Sequence, residues 1–236
     1  MNVDTRTILS PNMQRKVHDD GVFLSAGAAT TLVWRPPVFC NFEGMFDQFR
    51  KYLENKVTLS PEEWQLLESV SRIQKLRKHQ FLLTEGEVCN FNAFVCEGFF
   101  RKYSVDDKGI EHTVFFATEN WWISDRKSLM EGTPSQYFID AVENSVALLI
   151  SKSNFERICE QIPAFKELIN HLLQRNLNAT HERINDTFQS TAEEKYRHFL
   201  TSFPNLASRA PRHMVASYLG ITPETLSRVR KDISTK

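Results

Sequence analysis

The feature of this sequence that most restricts its fold is a series of short apolar or alternating runs between Arg72 and Ile150. The runs are "FLLTEG", "NAFVCEG", "FFRKYSV", "IEHTVFF", "YFIDAV" and "VALLI", and turn signals separate them at Gly86, Gly98 and the stretch "DDKG" at 106–109. Short strands that follow one another about every 8–12 residues are typical of a small antiparallel barrel or sandwich. We therefore expect such a structure in the middle of the chain.

The run "IEHTVFF" predicts how side chains are oriented within one of these strands. Successive side chains of a strand point to opposite faces of the sheet. Even-numbered residues from Ile110 to Phe116 are therefore expected on one face, and odd-numbered residues from Glu111 to Phe115 on the other. Each face combines polar and apolar residues, which indicates that one end of the strand is more buried than the other.

Helical segments on either side of the strands begin with recognisable caps. In a capping box, a Ser or Thr hydroxyl and a Glu three residues later satisfy two backbone N–H groups of the first turn. Three pairs have this spacing: Ser60–Glu63, Ser153–Glu156 and Thr191–Glu194. Pro61 also suits the first helical position. We expect helices to begin at these three places.

A helical pattern runs without a break from Pro163 to about Ser190. A helix of about 25 residues is nearly 40 Å long, which is more than a small domain usually needs. Its apolar stripe continues from Phe165 to Phe188 and is typical of a seam between two helices of a dimer. The alternative is an ordinary long helix that lies on its own barrel.

Residues 1–44 show no periodicity, whereas Met45 opens an amphipathic pattern that includes Phe46, Phe49, Tyr52 and Leu53. We interpret the first 44 residues as a loosely ordered extension, with Met45 as a candidate true start of the protein. An N-terminal arm that packs on the body of the protein is the alternative.

The stretch "HMVASYLGITPETLSRVRK" has the pattern of a helix-turn-helix. Such a unit needs apolar contacts between two helices, a small residue at their crossing and a glycine in the turn. Ala216 and Gly220 supply the last two. Thr222 is expected to cap the second helix and Pro223 to begin it. The apolar contacts are assigned to Val215, Leu219, Ile221, Leu226 and Val229.

The second of these helices is expected to carry the residues that contact DNA. The candidates are Thr222, Glu224, Thr225, Ser227, Arg228, Arg230 and Lys231. The whole chain has no net charge, but the segment from Thr191 onward has eight Lys or Arg against four Asp or Glu, so the remaining residues carry the balancing −4. Positive charge concentrated in one segment is what a DNA-binding surface requires.

The order of these parts resembles the Crp–Fnr family of bacterial transcription regulators from about residue 45 onward. The most specific stretches are "FLLTEGEVCNFNAFVCEGFFRKYSVDDKGIEHTVFF", which is similar to the family's cyclic-nucleotide-binding-type roll, and the helix-turn-helix stretch. The resemblance implies an α+β fold in three parts. They are an antiparallel, jelly-roll-like β-roll sensor domain at 45–162, a dimerisation helix at 163–190 and a helix-turn-helix domain at 191–236.

The resemblance also implies a mechanism and partners. A homodimer would bind a two-fold-symmetric double-stranded DNA site and engage RNA polymerase, and an effector in the roll would reposition the two DNA-binding heads. The family's groove-reading positions correspond to Glu224 and Arg228, with Thr225 and Ser227 nearby. A different interpretation is a ligand-binding sensor whose helix-turn-helix is vestigial.

The roll departs from the family's cyclic-nucleotide-binding members at the residues that hold the ligand. Those members carry a Gly-Glu pair for the phosphate-facing backbone and the ribose, followed by an Arg-Ser or Arg-Thr pair whose Arg neutralises the phosphate. Here the first pair becomes Ser124-Asp125 and the second becomes Ser135-Gln136. Arg126 and Lys127 are candidate replacements for the missing counter-charge. We therefore expect an effector other than cyclic AMP, or none.

No sequence motif indicates catalysis, a cofactor or a metal. The chain has no P-loop, no dinucleotide-binding glycine motif and no nucleophile elbow, so we expect no enzyme and no cofactor. Of the four cysteines only Cys40 precedes the roll, which excludes the four-thiolate cluster of the family's iron–sulfur sensors. Cys89 and Cys96 lack metal-type spacing. Without a secretion signal or an apolar segment of membrane length, we expect a cytoplasmic protein with reduced thiols and no membrane contact.

Overall fold

The structure, a computed structural model, describes residues 42–234. Its helices are α1 (Phe42–Glu54), α2 (Pro61–Val70), α3 (Arg126–Glu131), α4 (Lys152–Gln161), α5 (Pro163–Gln189), α6 (Ala192–Ser202), α7 (Leu206–Arg209), α8 (Arg212–Leu219) and α9 (Pro223–Ser234). Its strands are β1 (Ser71–Leu76), β2 (Phe81–Leu83), β3 (Phe91–Glu97), β4 (Phe100–Val105), β5 (Glu111–Ala117), β6 (Trp122–Ile123), β7 (Phe138–Ala141) and β8 (Ser145–Ser151). The α+β class is as predicted.

The strands form two antiparallel four-stranded sheets, with the orders β1-β8-β3-β6 and β2-β7-β4-β5. Strands that are neighbours in a sheet are mostly distant in sequence, as in a jelly roll, because β8 lies between β1 and β3 and β7 lies between β2 and β4. Apolar residues of both sheets, including Phe100, Ile139 and Ala147, form one buried core. The predicted antiparallel barrel or sandwich is thus confirmed as a jelly-roll-like β-roll.

Each of the six predicted runs contains a strand, and the structure adds two strands that the sequence pattern did not predict. Both lie at the edges of the same sheet, where, within residues 42–234, β1 pairs only with β8 and β6 pairs only with β3. Strand β1, "SRIQKL", is largely polar because an edge strand is buried less than a central one. Strand β6 has two residues, which is too short for any alternation to be visible.

Strand β5 contains a β-bulge at Val114, because its neighbours Thr113 and Phe115 pair with adjacent residues of β4. A shift of one residue moves every later side chain to the other face of the sheet. Thr113 and Phe116, which simple alternation assigns to opposite faces, are accordingly both buried. The predicted common face of the even-numbered residues from Ile110 to Phe116 is therefore wrong.

Gly98 makes the turn between β3 and β4 with a φ of +90°. A Cβ at this position would lie 2.2 Å from Ser145 Oγ. The same hydroxyl accepts a hydrogen bond from the N–H of Phe99 at 3.0 Å, so it is not free to move away. The predicted turn is confirmed, and both the backbone angle and the close approach require glycine.

Two of the three predicted capping boxes are present. Ser60 and Glu63 cap α2, and Thr191 and Glu194 cap α6, with both reciprocal hydrogen bonds made in each box. These helix starts are therefore confirmed to the residue.

The capping box predicted at Ser153 and Glu156 is wrong. Helix α4 begins at Lys152, and Ser151 caps it by accepting a hydrogen bond from the N–H of Asn154 at 3.4 Å. Ser151 is also the last residue of β8. Because the strand passes directly into the helix, the cap lies two residues earlier than the sequence pattern indicates.

Helix α1 packs against the roll through Phe46 and Phe49, and the ring of Phe49 lies 5.0 Å from that of Phe94 in β3. The predicted amphipathic helix is thus present. It begins at Phe42, so the predicted boundary before Met45 falls within a helix. Residues 1–41, which make up most of the predicted extension, lie outside the described residues.

Helix α5 ends one residue before the predicted position and joins the roll to the last four helices. Its first turns are buried through Phe165 and Ile169. Helices α6 to α9 then enclose an apolar cluster, defined here as the head core, that also contains Phe99, Phe116 and Val142 of the roll. The helix-turn-helix and the roll therefore share a buried core.

Candidate nucleic-acid interface and sensor cavity

The turn between α8 and α9 has the geometry that a helix-turn-helix needs. Gly220 ends α8 in the left-handed conformation, with φ 66° and ψ 34°. The hydroxyl of Thr222 then caps α9 by accepting a hydrogen bond from the N–H of Thr225 at 3.2 Å. Leu226 and Val229 are buried in the head core. These contacts fix the rotation of α9 about its own axis.

The opposite face of α9 is polar and exposed. Of the seven candidate DNA-binding residues, five are exposed: Thr222, Glu224, Ser227, Arg228 and Lys231. Thr225 and Arg230 are half-buried, and the hydroxyl of Thr225 accepts a hydrogen bond from that of Thr222 at 3.1 Å. The structure thus brings Glu224 and Arg228 to one face, one helical turn apart, and draws Thr225 partly into the cap.

The positions that hold cyclic nucleotide in the family are closed by a hydrogen bond between their own side chains. Asp125 and Ser135 are both buried, and the Ser135 hydroxyl donates to Asp125 Oδ2 at 2.7 Å. The backbone of Ser135 is held as well, since its N–H donates to Glu87 and its carbonyl accepts from Gly86. Both candidates face each other rather than a cavity.

The other effector candidates do not join this pair. Arg126 begins α3 and is exposed, and Gln136 is also exposed. Ser124 is half-buried, and its carbonyl accepts a hydrogen bond from Lys102 Nζ at 3.4 Å. Among the predicted candidates, therefore, the structure brings only Asp125 and Ser135 into contact.

A cavity of about 670 Å³ lies beside these positions, and we call it the sensor cavity. Residues from α1, β3 to β6, α3, α4, α5, α6 and α8 line it, and two of the predicted effector candidates, Ser124 and Arg126, are among the lining residues. Trp122 contributes to the wall but belongs mainly to the core, with its ring 5.4 Å from that of Phe94. Trp121 is 37% exposed and packs against Phe203 of the helical segment at 5.5 Å.

Lys102 is the residue of this cavity that the sequence analysis missed. It is half-buried on β4, and its ammonium lies 5.0 Å from the ring of Tyr137. Burial lowers the pKa of Lys102, although the nearby Asp125 carboxylate opposes that effect. Within residues 42–234, Lys102 forms no ion pair within 4 Å. The two adjacent cations, Arg101 and Lys102, inside the largely apolar run "FFRKYSV" were the sequence feature that could have indicated a charged group at this cavity.

Arg101, the neighbour of Lys102, is fully paired. Its Nε lies 2.9 Å from Asp140 Oδ1 and its Nη1 lies 2.6 Å from Glu111 Oε2. The guanidinium also stacks over the ring of Tyr103 at 3.9 Å. These contacts join β4, β7 and β5, so Arg101 stabilises the sheet, whereas Lys102 is oriented toward the cavity.

Polar contacts hold the helix-turn-helix to the roll, and we call them the docking contacts. Arg209 of α7 binds the Glu119 carboxylate through two hydrogen bonds of 2.8 and 3.0 Å, and it also binds Glu143. Ser217 of α8 bridges the edge of β5, accepting from Thr113 N–H and donating to the Glu111 carbonyl, both at 2.9 Å. Sequence patterns gave no indication of these pairs, because their members lie far apart in the chain.

The docking contacts are electrostatically favourable. Burial raises the pKa of the Glu119 carboxyl, but the hydrogen bonds from Arg209 outweigh this effect and hold the pKa below its usual range. The N–H of Gly98 also donates to Glu119 at 3.0 Å. The ion pair is therefore attached to the turn between β3 and β4.

The described part of the chain contains no helix that is both long and apolar enough to cross a membrane. Its three cysteines, Cys89, Cys96 and Cys159, are free thiols. Burial raises the pKa of Cys96 to about 12. Between residues 42 and 234, no group of three or more His, Cys, Asp or Glu side chains is arranged to hold a metal ion.

Known proteins resemble the chain in both sequence and fold. Residues 73–162 match the cyclic nucleotide-binding domain. The transcriptional activator protein anr of Pseudomonas aeruginosa is 24% identical over 176 residues, which cover 69% of this chain and 70% of that protein. FixK2 from Bradyrhizobium japonicum has a similar fold, with a TM-score of 0.63, 20% identity, and coverage of 70% of this chain and 85% of that chain.

A CooA variant from Carboxydothermus hydrogenoformans also shares the fold, with a TM-score of 0.61, 20% identity, and coverage of 78% of this chain and 83% of that chain. The likeness to solved structures extends over both the roll and the helices that follow it. Together, the comparisons show a cyclic nucleotide-binding domain at residues 73–162, sequence similarity to a transcriptional activator, and the fold of the two solved structures.

Proposed function

We propose that the protein is a homodimeric regulator that reads a two-fold-symmetric DNA site through α9 and senses an effector other than cyclic AMP. One observation carries the proposal: the polar face of α9 is exposed while its apolar face, with Leu226 and Val229, is buried in the head core. A recognition helix needs both properties, because it must be held rigidly while its outer face enters the major groove.

The N-terminal half of α9 has the chemistry for base recognition. Arg228 can donate two parallel hydrogen bonds to guanine, and Glu224 can accept one from the amine of cytosine. Both side chains are exposed. Arg230 and Lys231 lie in the following turn and suit phosphates, which contribute affinity without sequence information. We therefore assign sequence reading to the first two residues and backbone binding to the last two.

A second copy of the chain is the partner that suits α5. Leu177, Ile184 and Phe188 are 48%, 49% and 83% exposed. Their spacing of seven and four residues puts them on one stripe of the helix, as in a coiled coil. If two copies pair along this stripe, their α9 helices are related by two-fold symmetry, and half-site centres are expected roughly 10 bp apart.

The roll is the sensor in this proposal, and the docking contacts are the route by which it influences α9. The hydrogen bond between Asp125 and Ser135 closes the position at which a cyclic nucleotide phosphate would bind. Ser217 lies on the first helix of the helix-turn-helix and contacts β5 directly. A ligand that shifts β5 relative to α5 would therefore change the orientation of α9.

Selection from randomised DNA, with wild-type protein and three variants, tests the proposal. Arg228→Ala is expected to cost about 1–3 kcal/mol of binding free energy and to relax preference at one base pair of each half-site. Lys231→Ala is expected to weaken binding to all DNA sequences alike. It should also reduce the slope of the logarithm of the binding constant against the logarithm of salt concentration by about one unit. Arg157→Ala, on the exposed surface of α4, is the matched control. It should change neither the sequence preference nor the salt dependence of binding.

Two results would contradict the proposal. If Arg228→Ala selects the same sequences as the wild type, α9 is not the element that reads DNA. If the wild type selects no symmetric site and binds DNA only weakly and at low salt, the helix-turn-helix is vestigial and the chain is a sensor module.

A further inference from the structure

We propose that the sensor cavity binds an organic anion with an apolar, ring-containing body, and that the negative group of this ligand pairs with Lys102. The inference rests on the proposed function where it identifies this ligand as the effector. It does not use the position of the cyclic nucleotide, because Asp125 and Ser135 fill that position themselves.

The walls of the sensor cavity suit a flat apolar body. Trp121 and Phe115 line the cavity and pack against each other, with ring centroids 5.9 Å apart. Leu172 and Leu173 of α5 also line the cavity, and both are only half-buried. A volume of about 670 Å³ lies within the range of roughly 300–1,000 Å³ that small-molecule sites occupy. Exposed apolar walls of this size favour a ligand that covers them.

The charge of the lining indicates a negative ligand. Among the described residues, six Lys or Arg side chains line the cavity, namely Lys56, Lys102, Arg126, Arg175, Arg183 and Lys195, against two acidic ones, Glu182 and Asp186. Asp186 is already paired with His198 at 2.7 Å. Lys102 is half-buried, and its ammonium donates to the Ser124 carbonyl at 3.4 Å and lies 5.0 Å from the Tyr137 ring without a carboxylate of residues 42–234 within ion-pair distance. An ammonium that is partly removed from water gains most from an anion.

The cavity is not the seam in which a second copy is expected. With 3.6 residues per turn, Leu177, Ile184 and Phe188 lie about 100° around α5 from the cavity residues Asn176 and Arg183. These two residues therefore lie away from the dimer stripe, whereas the cavity residue Leu173 precedes Leu177 by four residues and lies beside the stripe. The cavity thus borders the seam on α5.

Two fluorescent probes that differ only in charge test the inference in the full chain. Anilinonaphthalene sulfonate is an apolar ring system with one negative group, and phenylnaphthylamine has the same rings without it. Each is titrated into the protein, and its emission and the quenching of tryptophan emission are recorded. We expect the sulfonate to bind at one site per chain and to quench tryptophan, because Trp121 and Trp122 line the cavity.

The variants separate charge from packing. Lys102→Met keeps the length and apolar contacts of the side chain. We expect it to lower the affinity for the sulfonate about tenfold and to change the affinity for phenylnaphthylamine by less than about twofold. Asn176→Glu adds a negative charge to an exposed residue of the cavity wall. It should lower the affinity for the sulfonate about threefold without loss of packing. Lys108→Met, in an exposed turn outside the cavity, should bind both probes like the wild type.

The inference is overturned if Lys102→Met and Asn176→Glu bind the sulfonate as tightly as Lys108→Met does. It is also overturned if the sulfonate occupies several equivalent sites per chain. Gel shifts on the same preparations test the proposed function separately. A wild type that binds the sulfonate at Lys102 but binds no DNA contradicts the regulator proposal alone, and one that binds DNA but shows no dependence on Lys102 contradicts the cavity proposal alone.

Discussion

At residue 135 a hydroxyl stands where the family resemblance puts a guanidinium in the cyclic-nucleotide-binding members. The hydroxyl of Ser135 is buried and already donates to Asp125. A phosphate brought to this position would meet a carboxylate and would find the nearest donor occupied. Burial of an anion without a paired donor is strongly unfavourable.

We therefore expect no tight binding of cyclic AMP or cyclic GMP at this position. Calorimetric titration of the full chain measures it directly, and weak or undetectable heat is the expected result. A dissociation constant below about 10 µM, which corresponds to roughly −7 kcal/mol, would show that another cation replaces the missing Arg.

At the scale of single elements, α5 makes the most specific prediction. Ile184→Glu places a carboxylate in the proposed seam, and since a buried unpaired charge is costly, we expect the dimer dissociation constant to rise about tenfold or more. Sedimentation equilibrium measures this constant. Gln189→Glu is the control, because Gln189 is exposed and lies about 120° around the helix from the stripe.

A dimer constant that is the same for Ile184→Glu and Gln189→Glu would mean that the copies do not meet along this stripe. A wild type that sediments as a monomer at high concentration would contradict the dimer itself. Either result leaves the assignment of α9 to be tested separately by DNA selection.

Elements whose signal is local could be predicted from the sequence, and elements that depend on distant partners could not. The capping boxes at Ser60 and Thr191 involve residues three apart, and both are present. The bulge at Val114 exists only in relation to β4, so alternation within β5 could not reveal it. Strand β6 is defined by two pairs with β3, and its own sequence is too short to indicate a strand.

The features of the candidate sites also divide into those with a local sequence signal and those that depend on residues distant in the chain. The capped turn and the exposed face of α9 follow from the local pattern around Gly220, and both are observed. The pairing of Asp125 with Ser135 and the position of Lys102 at the cavity depend on how the strands of the roll meet. The family resemblance put Asp125 and Ser135 at one site, but it indicated neither the hydrogen bond between them nor the position of Lys102.

At the scale of the whole described chain, the docking contacts connect the helix-turn-helix to the roll. Arg209→Ala would leave Glu119 and Glu143 close together without the cation that they share. We expect it to lower the free energy of unfolding by about 1–3 kcal/mol, because hydrogen bonds to partly buried charged groups are among the stronger ones. Urea denaturation of the purified protein measures the change.

Arg197→Ala is the matched control for this prediction. Arg197 pairs with Glu193 within α6, and its side chain is 51% exposed, so its loss should cost about 0.3–0.5 kcal/mol. A double-mutant cycle of Arg209→Ala with Glu119→Gln should give a coupling energy of about 1–2 kcal/mol. Equal destabilisation by Arg209→Ala and Arg197→Ala would mean that docking contributes little to stability.

The shared head core limits how a protein of this kind can be recombined with others. Phe116 belongs to the roll by sequence, but its ring lies 5.0 Å from that of Tyr218 and 6.3 Å from that of Phe199. A segment cut at residue 190 and grafted onto a foreign sensor would lose these aromatic neighbours and expose part of its interior to water. The unit that can be exchanged between regulators is therefore the helical segment together with the edge strand on which it rests.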